Sequence, residues 1–256
     1  MKGVQGFDKT GKSDREGRKN ELETIDIFNK KKVYRFEVEH RGGTRLKQDA
    51  VAGPTKISIK RMKTTNSGSH DWANLSSAVT EGLFGNVFDE FLTQIKEYRQ
   101  LPKSTREDKG FQSKVSAKFT ALCNSSFDYF NSKNIIKVLN RGLIDACFDF
   151  DIAINDIAKK KIFIYEANRH PVFEYVRKGF TAYLKGTAKK SRMICFEDVN
   201  GNHYDTGIRL RVVNNNGMTA FLGVSEKNSN SKVVIKLQQD KVSTLLKSVN
   251  PREIAY

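Results

Sequence analysis

The sequence predicts an α/β protein: a small mixed sheet with an N-terminal helix on one face, a helical middle and a β-rich C-terminal part. Three observations predict it. Short alternating runs cluster between residues 33 and 62. Apolar residues recur at helical spacing from 71 to 148. Strand-like runs separated by Asn-Gly turns fill the last hundred residues. There is no internal repeat, and blocks 1–63, 64–157 and 158–256 are expected to form one compact unit.

Residues 1–16, rich in Gly, Lys and Asp, are expected to be mobile. Leu22, Ile25 and Phe28 predict a helix over 17–29. Residues 33–39 alternate as a half-exposed strand, turned by Arg41-Gly42-Gly43. Residues 46–52 form a second strand, Gly53-Pro54 a tight turn, and 56–62 a third strand with Ile57 and Ile59 on one face.

After a polar loop over 64–70, Asp71 is a cap for a helix carrying Trp72, Leu75, Val79 and Leu83. Gly82 and Gly85 break or bend it before a helix over 87–99. A charged connection over 102–110 precedes helices over 111–130 and 135–148, whose Phe and Leu positions read as core. The C-terminal part offers a strand over 161–165 and a short helix over 171–178 opened by Pro171. Strands over 191–199 and 204–213 flank Asn200-Gly201-Asn202, a hairpin signal. A turn over 214–217, a strand over 218–224, a loop over 228–231 and a strand over 233–237 complete the expected elements.

Composition narrows the function. The chain carries 45 Lys and Arg against 29 Asp and Glu, a net charge of +16, with a pI near 9.7. That excess is large for an ordinary metabolic enzyme and points to a polyanionic partner. No apolar run approaches the length of a membrane span, and the first residues lack the apolar core of a secretory signal. Cys123, Cys147 and Cys195 make neither a disulfide framework nor a CxxC zinc site, so a reduced, cytoplasmic protein is expected. The charge is uneven: residues 1–63 carry +8, 64–157 carry −2 and 158–256 carry +10. Two basic ends flanking a near-neutral middle suit a nucleic-acid cleft on a neutral scaffold; two solvated surfaces are the plainer reading.

The chemistry concentrates in Gln48-Asp49-Ala50-Val51-Ala52-Gly53-Pro54-Thr55-Lys56-Ile57-Ser58-Ile59-Lys60. Pairing the two strands across the tight turn brings Asp49 and Lys60 side by side at one edge of a sheet. A carboxylate there can hold Mg²⁺, a hard ion that prefers oxygen, and the Ile59 carbonyl can join the same shell. The Lys60 ammonium can position a water and offset charge on a pentavalent phosphorus. Glu21 shares a helix face with Ile25 and Phe28, and points at the same edge if that helix packs on the sheet. The plain alternatives are an ordinary cross-strand Asp49–Lys60 ion pair and a solvated Glu21.

Over residues 17–63 this pattern resembles the PD-(D/E)XK nuclease superfamily, in particular small Type II restriction endonucleases. The order is the same: a helix with Gly-Arg-Lys-Asn-Glu, a strand, a strand bearing the acid, a strand bearing xxK, then helices. The resemblance implies a restriction-endonuclease-like core. It makes Asp49 the metal-binding aspartate, Lys60 the catalytic lysine and Glu21 the helix glutamate that assists the metal. Gln48 departs from the family's Pro, which matters little. Ser58 stands where the second acid usually sits, and Glu21, Asp71 or Glu81 could replace it.

Other constellations are weaker. His40, His70, His170 and His203 lack zinc spacing, and neither a Walker loop nor a nucleophile elbow is present. For base readout the arm over 207–217 presents Arg209 and Arg211 on one face, Ile208, Leu210 and Val212 on the other, then Asn214, Asn215 and Asn216. Lys189, Lys190, Arg192, Lys227 and Lys232 are phosphate candidates. The loop bearing Ser69 and His70 could also meet phosphates; a helix cap with Trp72 in the core is the alternative.

The expected function is Mg²⁺-dependent cleavage of double-stranded DNA by a Type II restriction endonuclease, with the middle helices as scaffold and a homodimer contact. The alternatives are a homing, repair or junction-resolving nuclease on the same core, or a non-enzymatic basic DNA-binding protein.

Overall fold

The structure, a computed structural model, describes residues 12–41, 48–62, 70–75, 77–85, 89–186, 191–214, 222 and 233–256. In chain order the strands are β1 (Val38–His40), β2 (Ala50–Ala52), β3 (Thr55–Met62), β4 (His70–Leu75), β5 (Phe150–Asp156), β6 (Lys161–Glu166), β7 (Thr181–Lys185), β8 (Ser191–Glu197), β9 (His203–Asn214), β10 (Val233–Gln239) and β11 (Arg252–Ala255). The helices are α1 (Lys12–Lys30), α2 (Ser77–Phe84), α3 (Asp89–Gln100), α4 (Lys103–Glu107), α5 (Lys109–Ser125), α6 (Ser132–Leu139), α7 (Asp145–Cys147), α8 (Pro171–Arg177) and α9 (Val242–Val249). A π turn over Asn140–Ile144 joins α6 to α7. The fold is mixed α/β, and it divides into two units. One holds residues 1–70, 146–173 and 241–256; the other holds 71–145 and 174–240. The division does not follow chain order, because β5, β6 and β11 return to the sheet that the N-terminal strands begin.

In the first unit that sheet runs β1-β2-β3-β5-β6-β11. Only β3 and β5 pair in parallel; the other neighbours are antiparallel, so the sheet is mixed. Helix α1 buries Ile25 and Phe28 against Val38, Ala50, Ala52, Ile57, Ile59, Ala153, Ile162 and Ile164. This is the expected N-terminal helix on a sheet face, with Ile57 and Ile59 pointing at it. Burying a side chain such as Phe28 or Ile57 contributes roughly 2–3 kcal/mol. Ile152, Ile154, Phe163 and Tyr165 are buried too, so the central strands are apolar on alternate residues of both kinds.

Several expectations are corrected. The strand expected over 33–39 is confined to Val38–His40. Tyr34 is drawn aside by its hydroxyl, which donates to Asp151 Oδ2 at 2.9 Å, and Asn29 clamps Val38 by bonding both its N–H and its carbonyl. The helix expected to start at Asp71 is strand β4. Trp72 and Asp71 find partners in the β10 region: Trp72 Nε1 donates to Gln239 Oε1 at 3.0 Å, and Lys236 lies 3.6 Å from Asp71. Helix follows only at Ser77. Strand β5 falls at the end of the expected helical middle, although Phe150, Ile152 and Ile154 alternate. No sequence expectation covered β7, α9 or β11.

The second unit holds the sheet β4-β10-β9-β8-β7, in which β10, β9, β8 and β7 pair antiparallel. Its β8–β9 hairpin turns at Asn200-Gly201-Asn202 as expected, with Gly201 at φ +78°. Asp198 ties the turn by accepting from the N–H groups of Asn200 and Asn202, the Asn202 amide and the Tyr204 hydroxyl. All three cysteines are buried and free. Among the described residues no helix is long and apolar enough to cross a membrane. The expected strand over 218–224 lies outside the described residues apart from Leu222.

Candidate functional site

The β2–β3 hairpin sets the site's geometry. Gly53 takes φ +60° at the turn, and a Cβ there would come within 2.5 Å of the Phe36 ring, so glycine suits both backbone and packing. The register pairs Ala50 with Ile57, Val51 with Lys56 and Ala52 with Thr55. One residue beyond that ladder, Asp49 N–H donates to the Ile57 carbonyl at 2.9 Å, and Arg41 N–H donates to the Asp49 carbonyl at 2.9 Å. The backbone of Asp49 is therefore held from two sides. Ser58 follows Ile57 on β3, and Lys60 stands two residues further on, on the same face as Ser58 by strand alternation.

Asp49 Oδ2 accepts the Ile59 N–H at 2.7 Å and the Ser58 hydroxyl at 3.2 Å, and lies 3.6 Å from Lys60 Nζ. The pair sits inside the order β1-β2-β3-β5, where β2 begins, and not at a lateral edge of the sheet: β1 covers β2 and β5 covers β3. The contact seen at Ile59 uses its N–H, whereas the expected metal contact used its carbonyl. Ser58 is buried and polar, and its hydroxyl is satisfied by Asp49.

Glu21 of α1 lies within electrostatic reach of Asp49 and Lys60. Burial pushes its carboxyl above the ordinary carboxylate value; the His40 hydrogen bond opposes this, the Asp49 charge adds to it, and the charges of His40 and Lys60 pull back down. Glu21 Oε2 lies 3.0 Å from His40 Nε2. An ionised Glu21 can only accept, which puts a proton on Nε2. Side-chain exposures of 19% for Asp49, 22% for Glu21 and 25% for Lys60 leave each able to meet a ligand while limiting its hydration. His40 was missed as a site residue. It stands two residues past buried Val38 in the alternation of β1, and the expected strand stopped one residue short of it.

The donor set suits a hard cation. Asp49 Oδ1 and Glu21 Oε1 accept no hydrogen bond from a described residue. Among the described residues no three His, Cys, Asp or Glu side chains gather on one point. Mg²⁺ commonly uses one or two carboxylates and completes its shell with waters and substrate phosphates. The carboxylates of Asp49 and Glu21, in electrostatic reach of each other, fit that pattern. Of the other candidate acids, Asp71 pairs with Lys236. Glu81 lies in α2, and its side chain is outside the described residues.

The expected DNA readers are arranged otherwise than as an arm. Strand β9 is paired on both sides, by β8 and β10. Arg209 and Arg211 do share a face, opposite buried Ile208, Leu210 and Val212. Both are engaged: Arg209 donates to Asp240 at 2.9 Å and Arg211 to Gln238 at 2.9 Å. Asn214 ends β9 and His70 begins β4. Asn215, Asn216, Lys189, Lys190, Lys227, Lys232 and Ser69 lie outside the described residues.

No family model matches the chain, and neither a curated protein nor a solved structure matches it.

Proposed function

We propose that this chain is a Mg²⁺-dependent endonuclease of double-stranded DNA, acting as a sequence-specific Type II restriction endonuclease on a core resembling the PD-(D/E)XK nucleases. The observation that carries the reading is the Asp49–Lys60 pair at 3.6 Å across the β2–β3 hairpin, with a third charged residue in electrostatic reach. Glu21 of α1 lies within electrostatic reach of Asp49, which enters β2, and of Lys60 of β3. Their order along the chain is the one the resemblance implies. The parallel pairing of β3 with β5 gives the lysine strand a buried neighbour on its other side.

The chemistry follows from the side chains. A divalent cation held by Asp49 and Glu21, with the Ile59 carbonyl, would supply Lewis acidity to the scissile phosphate. Ser58 and the Ile59 N–H hold the Asp49 carboxylate in one orientation, leaving its second oxygen for a ligand. Lys60 orients the attacking water and offsets the charge that builds on phosphorus. His40 holds Glu21 through its Nε2–H. The products would be a 5′-phosphate and a 3′-hydroxyl, by the resemblance.

The test is plasmid DNA incubated with the protein and Mg²⁺. Discrete bands support sequence-specific cutting. A smear supports a nonspecific or repair-type nuclease on the same core. Intact plasmid that is nevertheless bound supports a non-enzymatic DNA-binding protein.

A further inference from the structure

The near-neutral middle of the chain is an average of unlike parts. Residues 109–141 hold six basic side chains, Lys109, Lys114, Lys118, Lys133, Lys137 and Arg141, and a single acid, Asp128. Among the described residues none of the six basic side chains makes an ion pair. Lys133, Lys137 and Arg141 are exposed and recur every four residues along α6 and its π turn, about 6 Å apart at 1.5 Å of rise per residue. Lys114 and Lys118 repeat the spacing on α5.

The like-charge spacing works against the helices that carry it. Like charges at i and i+4 repel and weaken a helix. Lys109 opens α5 next to its Asp108 cap, and Lys133 lies in the first turn of α6, where a cation opposes the helix dipole, while Lys137 in the last turn favours it. Elsewhere the chain does the opposite. Lys19 with Glu23, Asp26 with Lys30, Lys103 with Glu107 and Glu174 with Lys178 are complementary i,i+4 pairs. The stripe is also rigidly mounted. Ile135, Val138, Leu139 and Leu143 are fully buried, and a Cβ on Gly142 would come 2.9 Å from Leu237 Cδ1 and 3.1 Å from Ala73 Cβ, so the π turn is pressed onto the sheet. π turns within helices are frequent at functional sites.

We infer that the exposed face of α6 and its π turn, bearing Lys133, Lys137 and Arg141, is a docking surface for the phosphate backbone of duplex DNA. A row of exposed cations without an ion pair among the described residues attracts a polyanion, and a nucleic-acid backbone supplies a periodic one without requiring apolar contact. A membrane surface fits less well, because the apolar face of α6 is already used inside the protein. A protein partner fits less well, because the three exposed positions offer no aromatic or aliphatic anchor. Naming DNA as the polyanion rests on the functional reading above; the surface itself rests on the charge pattern.

The test is fluorescence anisotropy of a labelled mixed-sequence duplex with the full chain, in Ca²⁺ and over a salt series. The K133Q/K137Q/R141Q variant should bind at least tenfold more weakly. Its log–log salt slope should be shallower by about 0.9 for each phosphate it no longer neutralises, up to about 2.7. It should melt no lower than the wild type, since like-charge repulsion is relieved. A control that removes equal charge at ion-paired lysines, K30Q/K103Q/K178Q, should leave the slope nearly unchanged. The inference is overturned if both triple variants weaken binding equally, or if the wild type does not bind the duplex. It is also overturned if vesicles of phosphatidylcholine and phosphatidylserine bind more tightly than the duplex and only K133Q/K137Q/R141Q abolishes this. Wild-type binding through this face without cleavage would sink the nuclease reading alone. Wild-type cleavage with the salt slope unchanged by K133Q/K137Q/R141Q would sink this inference alone.

Discussion

Asp49 Oδ2 accepts the backbone N–H of Ile59 at 2.7 Å, a bond from one strand's side chain to the next strand's main chain. The bond holds the Asp49 carboxylate in place and also satisfies a buried donor of β3. Asp49→Asn can keep the acceptor while removing the charge. It should unfold in urea near the wild-type midpoint and lose cleavage by ~10³-fold or more. Asp49→Ala should lose cleavage as well and, by stranding the N–H, be less stable by about 1–3 kcal/mol. Wild-type turnover in either variant would remove Asp49 from the mechanism.

Ser58 and Glu21 separate the second acid from its stand-in. Ser58→Ala removes one hydrogen bond to Asp49 and leaves both carboxylates, so the rate should fall by roughly tenfold, equivalent to about 1.4 kcal/mol. Glu21→Gln removes a carboxylate and should be the more damaging, with a higher Mg²⁺ requirement in single-turnover cleavage assays. An inactive Ser58→Ala beside an unaffected Glu21→Gln would reverse the assignment.

Asn155 is buried at the hub of a network that holds α1 to its sheet. It donates to Asn20 Oδ1 at 3.0 Å and Thr24 Oγ1 at 3.1 Å, and accepts from the Tyr256 hydroxyl at 2.7 Å. Asn155→Ala strands three partners and should cost about 2–4 kcal/mol, against about 1 kcal/mol for Tyr256→Phe. Urea unfolding measures both. In the double variant the Tyr256→Phe cost should largely vanish.

The β8–β9 turn should be acid-sensitive. The Asn202 side chain, the Asn202 N–H, the Tyr204 hydroxyl and the Asn200 N–H hold Asp198 down to about 2, below its ordinary 3.8. A folded-state value below the unfolded one means the stabilisation is present above pH 3.8 and lost as pH falls through about 2. The amide resonances of Asn200 and Asn202 should therefore titrate near pH 2. In Asp198→Asn that transition should disappear, and its persistence would show that another group is responsible.

Much of the first unit was legible because its determinants are local. Gly53-Pro54 sets the turn, alternation sets the inward face of Ile57 and Ile59, and at the register the tight turn fixes, acid and lysine come within 3.6 Å of each other. Asn200-Gly201 did the same for β8 and β9. The buried stripe of Ile25 and Phe28 announced a helix lying on a sheet.

What only the tertiary structure decided was non-local. Trp72 and Leu75 have helical spacing, yet Gln239 and Lys236, more than 160 residues away, draw Trp72 and Asp71 into a strand. Strand β5 joins β3 in parallel across a crossover of nearly ninety residues, which no local pattern encodes. The contact between His40 and Glu21 depends on how α1 settles against β1, and the engagement of Arg209 and Arg211 depends on Asp240 and Gln238 of the neighbouring chain segment. By itself the sequence determined hairpins, helix faces and charge, because these act over a few residues. Which side chains complete the site was decided by packing between segments distant in the chain.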